Sequence, residues 1–304
     1  MAINSGPWPF TYKTSDFDGV TSTQKSVVAD APANRNLFQN GGTIEVLFKV
    51  SSDGLTNTGR FVDKTRWFFR VGDESGGFVK AFFSQQFTGV DANFESDSVD
   101  IPLDTLVQLT IAYNYTTGAF NAYKDGIAYA MSPTSTPTGS VSTDITLNFV
   151  IGNRITDGRT FDGSLYQVRA WNRELAQHEI KRYMYNVLDG DEPGLNAYYI
   201  FNNNSDDQTA NANNGVDTLT VYTDYKPWIN GDQLNAAFLQ FGLAAVKPTT
   251  NNTQQLWFST DTNAIHLTNT EIYLIDQAGA IESRRTLGTG ATQAAAGNHT
   301  HTGL

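Results

Sequence analysis

The sequence predicts a mainly β, antiparallel fold, either a sandwich or a barrel. Many short runs alternate apolar with polar residues and are rich in β-branched and aromatic side chains. Turn pairs punctuate them: Asp53-Gly54, Thr117-Gly118, Asp125-Gly126 and Asp157-Gly158. Within residues 1–225, one segment alone breaks the pattern with helical spacing.

The runs follow in order. Thr43–Val50 alternates and is β-branched, and so does Arg66–Val71 after a polar loop. Further strands are predicted at Gly77–Phe83, Leu106–Tyr115, Phe120–Tyr123, Ile127–Tyr129, Ile145–Gly152 and Gly163–Trp171. Thr116-Thr117-Gly118 and Asp125-Gly126 suit hairpin turns, because glycine takes the positive φ those turns require. Leu175–Leu188 places Leu175, Ile180, Met184 and Leu188 on one helical stripe, bounded by Asp189-Gly190 and Pro193. Leu195–Phe201 and Thr218–Tyr222 read as strands, and Asn202–Gly215 between them as a loop. A short helix is expected at 234–246. Leu256–Phe258, Ile265–Leu267 and Ile272–Ile275 are strand-like but too short and sparse to bury a core alone.

Composition narrows the function. The 304 residues hold 20 Lys+Arg and 31 Asp+Glu, a net charge of −11, which disfavours nucleic acid and anionic membranes. With no cysteine there are no disulfides, thiolate metal sites or cysteine nucleophiles. No stretch approaches the roughly 20 apolar residues of a membrane span. The first ten residues lack the basic head and apolar centre of a secretory leader. Residues 226–304 hold 4 basic and 5 acidic residues, so nearly all the negative charge belongs to residues 1–225. This shift predicts two regions with different jobs, residues 1–225 and an oligomerisation region at 226–304; the first is divided into an arm at 1–15 and a β domain at 16–225.

Ordered landmarks carry a family resemblance. They are Phe17-Asp18-Gly19, Gly42-Thr43-Ile44-Glu45, the hairpin from Leu109 to Asp125-Gly126, and Phe161-Asp162-Gly163 through Trp171-Asn172-Arg173-Glu174-Leu175 to His178-Glu179-Ile180. Together they resemble the laminin-G-like branch of the concanavalin A-like lectin/glucanase superfamily. The resemblance implies a two-sheet antiparallel jelly roll with one short helix over roughly residues 16–222. Ala176 stands where that family usually has a Ser or Thr helix cap, which should weaken the helix start by about 1 kcal/mol.

The fold hosts both glycan binders and glycoside hydrolases. Hydrolysis needs two carboxylates across the sugar bond. Glu95 and Asp97 share a face, but Asp100 falls on the other, and the serine-rich run before Pro102 reads as a solvated loop. His178 reads as a helix surface residue. The expectation is therefore no enzyme. The resemblance also implies calcium in the loops, for which Asp162 with Asn153, or Asp206, Asp207, Asn213 and Asn214, are the candidates; turn-forming roles compete for all of them. Sugar would stack on aromatic faces. Tyr113 with Tyr115, and Trp67 with Phe69, lie at period two, and core packing competes for at least one pair. Trp67, Tyr113 and Tyr115 are the ligand-binding candidates.

The tail supplies one more motif. His299 and His301 point the same way in an extended chain, and three chains about an axis would offer six imidazoles to iron or another transition metal. Gly297-Asn298-His299-Thr300-His301 resembles segments of bacteriophage tail fibres, whose trimeric tips hold iron. Leu256–Leu267 resembles small hairpin units of phage fibres. These resemblances imply a homotrimeric virion adhesion protein that binds other virion proteins and a host glycan or receptor. A hydrolase or lyase acting on polysaccharide and a purely structural decoration protein are the alternatives.

Overall fold

The computed structural model describes residues 12–184, 186–225, 263–267, 271–276 and 281–286. Its contacts divide the chain into two compact units, Met1–Pro227 and Trp228–Leu304. In the first unit the strands are β1 (Tyr12–Asp18), β2 (Lys25–Val28), β3 (Gly42–Val50), β4 (Arg60–Asp63), β5 (Trp67–Ser75), β6 (Phe78–Gln85), β7 (Ala92–Ser96), β8 (Ile101–Pro102), β9 (Val107–Asn114), β10 (Ala119–Lys124), β11 (Ile127–Ala128), β12 (Met131–Pro133), β13 (Phe149–Ile151) and β14 (Asp162–Trp171). Helix α1 (Gln177–Tyr183) follows, then β15 (Leu195–Tyr199), β16 (Gly215–Thr218) and β17 (Val221–Tyr225).

They form two antiparallel sheets, the expected jelly roll. Sheet one runs β11-β10-β9-β3-β14-β1-β17, and sheet two runs β12-β7-β6-β5-β4-β13-β2-β16 with β8 added to β6. The centre of sheet one is β14. One edge pairs with β3 over most of its length. The other pairs first with β1, Ser15 opposite Leu165, and then with β15, Val168 opposite Tyr199. Both predicted hairpin turns form. Gly118 takes φ 76°, and Asp125 and Gly126 take φ 51° and 71°, the left-handed pair that matches strand twist.

Alternation sorts the side chains. Ile44, Val46, Phe48 and Val50 of β3 and Val107, Leu109, Ile111 and Tyr113 of β9 join the core between the sheets. Aromatic rings fill its centre: Phe38 meets Trp67 edge-on at 5.0 Å, and Phe48 meets Phe61 at 4.4 Å. Each such ring contributes about 1.5–3 kcal/mol by leaving water.

A second, smaller core lies under α1, where Ile180 and Leu175 pack with Trp171, Leu195 and Tyr198. Two charged groups pin the helix. The Arg173 guanidinium donates to both carboxylate oxygens of Glu179 at 2.9 Å, and Glu179 accepts from the Ala176 backbone N–H at 3.0 Å. This is half of a capping box, and it serves the helix start that Ala176 cannot cap. Arg169, 1% exposed, reaches from β14 to donate to the Tyr183 carbonyl at 2.9 Å and to the Asn186 carbonyl. The sheet thus caps the end of the helix. Glu45 sits beside Arg169 and accepts from Trp171 Nε1 at 2.8 Å and Gln108 Nε2 at 3.0 Å. Burial lifts the Glu45 carboxyl above its ordinary range, with Arg169, Trp171 and Gln108 opposing.

The structure corrects several expectations. The helix ends at Tyr183 rather than Leu188, because Arg169 and the Asn186 side chain take the carbonyls there. The run from Ile145 shortens to β13, since Thr146 takes φ 71° and a turn bond joins Leu147 to Asp144. Glu95 lies in β7, not in a loop.

The second unit contains β18 (Asn263–Leu267), β19 (Glu271–Asp276) and β20 (Ile281–Thr286), an antiparallel meander with Ile265 opposite Leu274 and Tyr273 opposite Arg284. Of the expected arm at 1–15, residues 12–15 belong to β1 instead, and residues 1–11, the expected helix at 234–246, the strand at 256–258 and the His299–His301 tail lie outside the described residues.

Candidate functional site

The predicted aromatic ligands are placed mostly inward. Trp67 and Tyr113 are 2% and 1% exposed, so they are core residues and correct the expectation that they face a sugar. Trp67 Nε1 donates to Asp144 at 3.0 Å. Tyr113 packs between Phe38 and Phe83, and burial pushes its hydroxyl up to about 12. Tyr115, one step past β9, is half-buried against the same core. Period two marked which side chains share a face, but the opposing sheet covers that face.

Of the carboxylates considered for hydrolysis, Glu95 and Asp100 are engaged, whereas Asp97, just past β7, is exposed. Glu95 on β7 pairs with Lys80 of the neighbouring β6. Asp100 pairs with Lys124 and accepts from the Tyr129 hydroxyl at 2.6 Å. His178 is exposed on α1.

The loop residues considered for calcium hold the chain instead. Asn153, fully buried, donates through Nδ2 to the Ser22 and Gln24 carbonyls and to Thr160 Oγ1 at 2.8–3.0 Å. Its Oδ1 accepts from the backbone N–H groups of Arg154 and Arg159 at 2.8 and 2.9 Å. Asp207 uses Oδ1 for the Tyr198 and Thr209 amides, and Oδ2 for the Thr209 hydroxyl and the Asn213 amide. Asn214 accepts from the Asp207 amide at 3.0 Å, Asp206 from the Asn204 side chain at 2.6 Å, and Asp162 from Ser52 at 2.6 Å. The oxygens of Asn153 and Asp207 are thus spent on the chain's own amides and hydroxyls. Among the described residues, no group of three or more His, Asp or Glu is placed to hold a metal ion.

A cleft opens instead at the edge of the sandwich. It has a volume of about 220 Å³ and lies between the β10–β11 hairpin and β12. Phe120, Asn121, Tyr123, Tyr129 and Met131 line it. Phe120 stacks on Phe94 at 3.7 Å, which fixes the ring from behind. Tyr129 is held by Asp100 and Lys124, with the ammonium 5.0 Å from the ring, while burial and then Asp100 push its phenol above the ordinary range. Asn121 is exposed and supplies an amide with both donors and an acceptor. Pockets for drug-sized ligands run to about 300–1,000 Å³, so this cleft suits a single ring. The lining residues run from 120 to 131; their sequence shows short strands and a turn, and no motif in it marks the cleft that forms where β11 ends one sheet and β12 joins the other.

The outer face of sheet two differs in character. Arg60 of β4 is paired in register with Arg70 of β5. The Arg60 guanidinium lies 3.8 Å over Phe68, and that of Arg70 lies 3.7 Å over Phe82. Arg154 and Arg159 stand at the two ends of the loop that Asn153 closes, and the Arg60 amide donates to the Arg159 carbonyl at 3.1 Å.

Comparison with known proteins bears on the whole domain. The family profile described as the concanavalin A-like lectin/glucanases superfamily matches residues 21–181. No curated protein matches the chain. Among solved structures, a proposed carbohydrate binding protein from Bacteroides ovatus is 19% identical with a TM-score of 0.50, covering 70% of this chain and 60% of that one. The chain thus spans somewhat under two thirds of that protein. A heptameric SAP-like pentraxin from Limulus polyphemus is 12% identical with a TM-score of 0.42, covering 58% of this chain and 82% of that one. The CBM40 of the Ruminococcus gnavus IT-sialidase, bound to α2,3-sialyllactose, is 11% identical with a TM-score of 0.39, covering 56% and 96%. At such identities the first of these likenesses is one of fold alone.

Proposed function

This chain belongs to the concanavalin A-like lectin/glucanase superfamily, and on that premise we propose that its jelly roll is a non-catalytic carbohydrate-binding domain. The observation that carries the reading is the cleft between the β10–β11 hairpin and β12. Its lining brings Phe120, Tyr123 and Tyr129 together with Asn121, residue types that suit the apolar face and the hydroxyls of one sugar ring. The nearby carboxylate of Asp100 is spent on Lys124 and Tyr129, which supports binding over hydrolysis.

The larger reading is a bacteriophage adhesion protein, a tail fibre, appendage or head fibre displayed on the virion and made in the host cytoplasm. Its support is the resemblance of Leu256–Leu267 and Gly297–His301 to phage fibre segments. In that reading residues 1–15 attach to other virion proteins, residues 226–304 form a homotrimer, and His299 and His301 of three chains hold iron or another transition metal. Three linked weak sites then bind a host surface far more tightly than one.

The test is a glycan array probed with the full chain and with Asn121→Ala. Binding to at least one neutral glycan, weakened about tenfold by the substitution, is expected for loss of a sugar-facing hydrogen-bond pair. An array without hits, or release of reducing ends from a bound polysaccharide, overturns the reading. Light scattering of a monomer would overturn the trimer.

A further inference from the structure

A protein of net charge −11 gathers four arginines on one face. Arg60 and Arg70 come from neighbouring strands, Arg154 and Arg159 from one loop. Their placement is built. The buried Asn153 oxygen holds the amides of both loop arginines. Arg159 donates to Thr58 Oγ1 at 2.7 Å. The Arg60 and Arg70 guanidiniums lie over the Phe68 and Phe82 rings. Gly72 leaves the room Arg70 needs, since a Cβ there would stand 2.3 Å from Arg70 Nη1.

Neutralisation is incomplete. Arg60 pairs with Asp63, whereas Arg70, Arg154 and Arg159 have no carboxylate at ion-pair distance among the described residues. Asp73, Glu95 and Asp53 act on Arg70 only through their field. Burial first, and then Arg154, Arg159 and Arg70, push Arg60 down from its ordinary value. Such crowding of like charge is unfavourable until an anion joins it.

We propose that the outer face of sheet two binds the carboxylates of an acidic polysaccharide through Arg60, Arg70, Arg154 and Arg159. The proposal rests on the carbohydrate-binding reading and adds a second, anion-selective surface to it. Arg60 gives one N–H to Asp63 and Arg70 one to the Val71 carbonyl, and the remaining guanidinium N–H groups can meet a planar carboxylate in a two-pronged contact. The rings beneath are covered, so neutral sugars have no bare aromatic face there. A densely charged polymer such as nucleic acid would meet repulsion from the acidic remainder of the domain, whereas a polymer with one carboxylate per one or two sugars would not.

The experiment measures binding of the full chain to polygalacturonate, hyaluronate and polysialate at low salt, with methyl-esterified polygalacturonate and single-stranded DNA alongside. Arg154→Gln/Arg159→Gln is the variant, because both residues are anchored through backbone amides that glutamine retains. Binding to at least one carboxylated polymer is expected, lost on esterification, falling with salt, and reduced about tenfold or more in the variant. Neutral-glycan binding sensitive to Asn121→Ala should be unchanged. No binding to any of the three polymers, equal binding of the esterified polymer, an unaffected variant, or preference for DNA would each overturn the proposal. If neutral glycans bind while the acidic polymers do not, the anion surface fails and the cleft stands. If the acidic polymers bind while no neutral glycan does, the cleft fails and the anion surface stands.

Discussion

Replacing Lys64 with methionine should destabilise the jelly roll by about 3–5 kcal/mol, the cost of breaking a buried ion pair from one side. The Lys64 side chain is 0% exposed, and its ammonium lies 2.6 Å from the Asn34 carbonyl, 3.4 Å from Asp144 and 3.7 Å from Asp30. Asp144, 2% exposed, also accepts from the Asn36 amide and from Trp67 Nε1. Methionine fills the space of the stem but leaves the Asp144 carboxylate buried without its cation. For a domain of this size each kcal/mol shifts Tm by about 2–4 °C, so Tm should fall by about 6–20 °C. The assay is urea unfolding followed by tryptophan fluorescence, for which Trp67 is a local reporter. Asp144→Asn keeps the oxygen that Trp67 needs and should cost less. The double variant removes both charges and should cost less than the sum of the two by about 1–3 kcal/mol. A loss under 1 kcal/mol for Lys64→Met, or strict additivity, would refute the account of this cluster.

Acid should also loosen the domain. Asp30 and Glu179 are held below their ordinary values of 3.8 and 4.5, first by hydrogen bonds from Arg35 and Arg173 respectively. The unfolded chain binds more protons in that window, so this stability is present above about pH 4.5 and is lost as pH falls. Arg173→Met should cost about 1 kcal/mol at neutral pH, since the pair is partly exposed, and should flatten the acid dependence of the urea midpoint; an unchanged slope would contradict the fork. Gly163→Ala places a Cβ 2.1 Å from the Lys49 carbonyl at φ 135°, and a loss of about 2 kcal/mol or more is expected in the same assay. An unchanged midpoint would mean that β14 can retreat from β3.

Part of this fold is legible in the sequence. The long alternating strands β3, β9 and β14 and the turns at Gly118 and Gly126 follow from local pattern. The Arg173-to-Glu179 spacing in the family-like corner acquires a mechanical meaning as a fork across the helix start. The short strands of sheet two were harder. β2 and β4 have four residues each, β4 carries a register shift, and β7 turns Glu95 outward among serines, so none shows a sustained period. The four arginines were illegible because no motif spans positions 60 to 159.

By itself the sequence determined the class of fold, the acidic balance of residues 1–225 and which side chains share a strand face. Period two is a local property of the chain and needs no partner. Which face is buried is not local: it depends on where the second sheet lies. That tertiary choice sent Trp67 and Tyr113 into the core, left Asn121 and the neighbouring rings at the sandwich edge, and turned Arg60 and Arg70 outward beside a loop closed by Asn153.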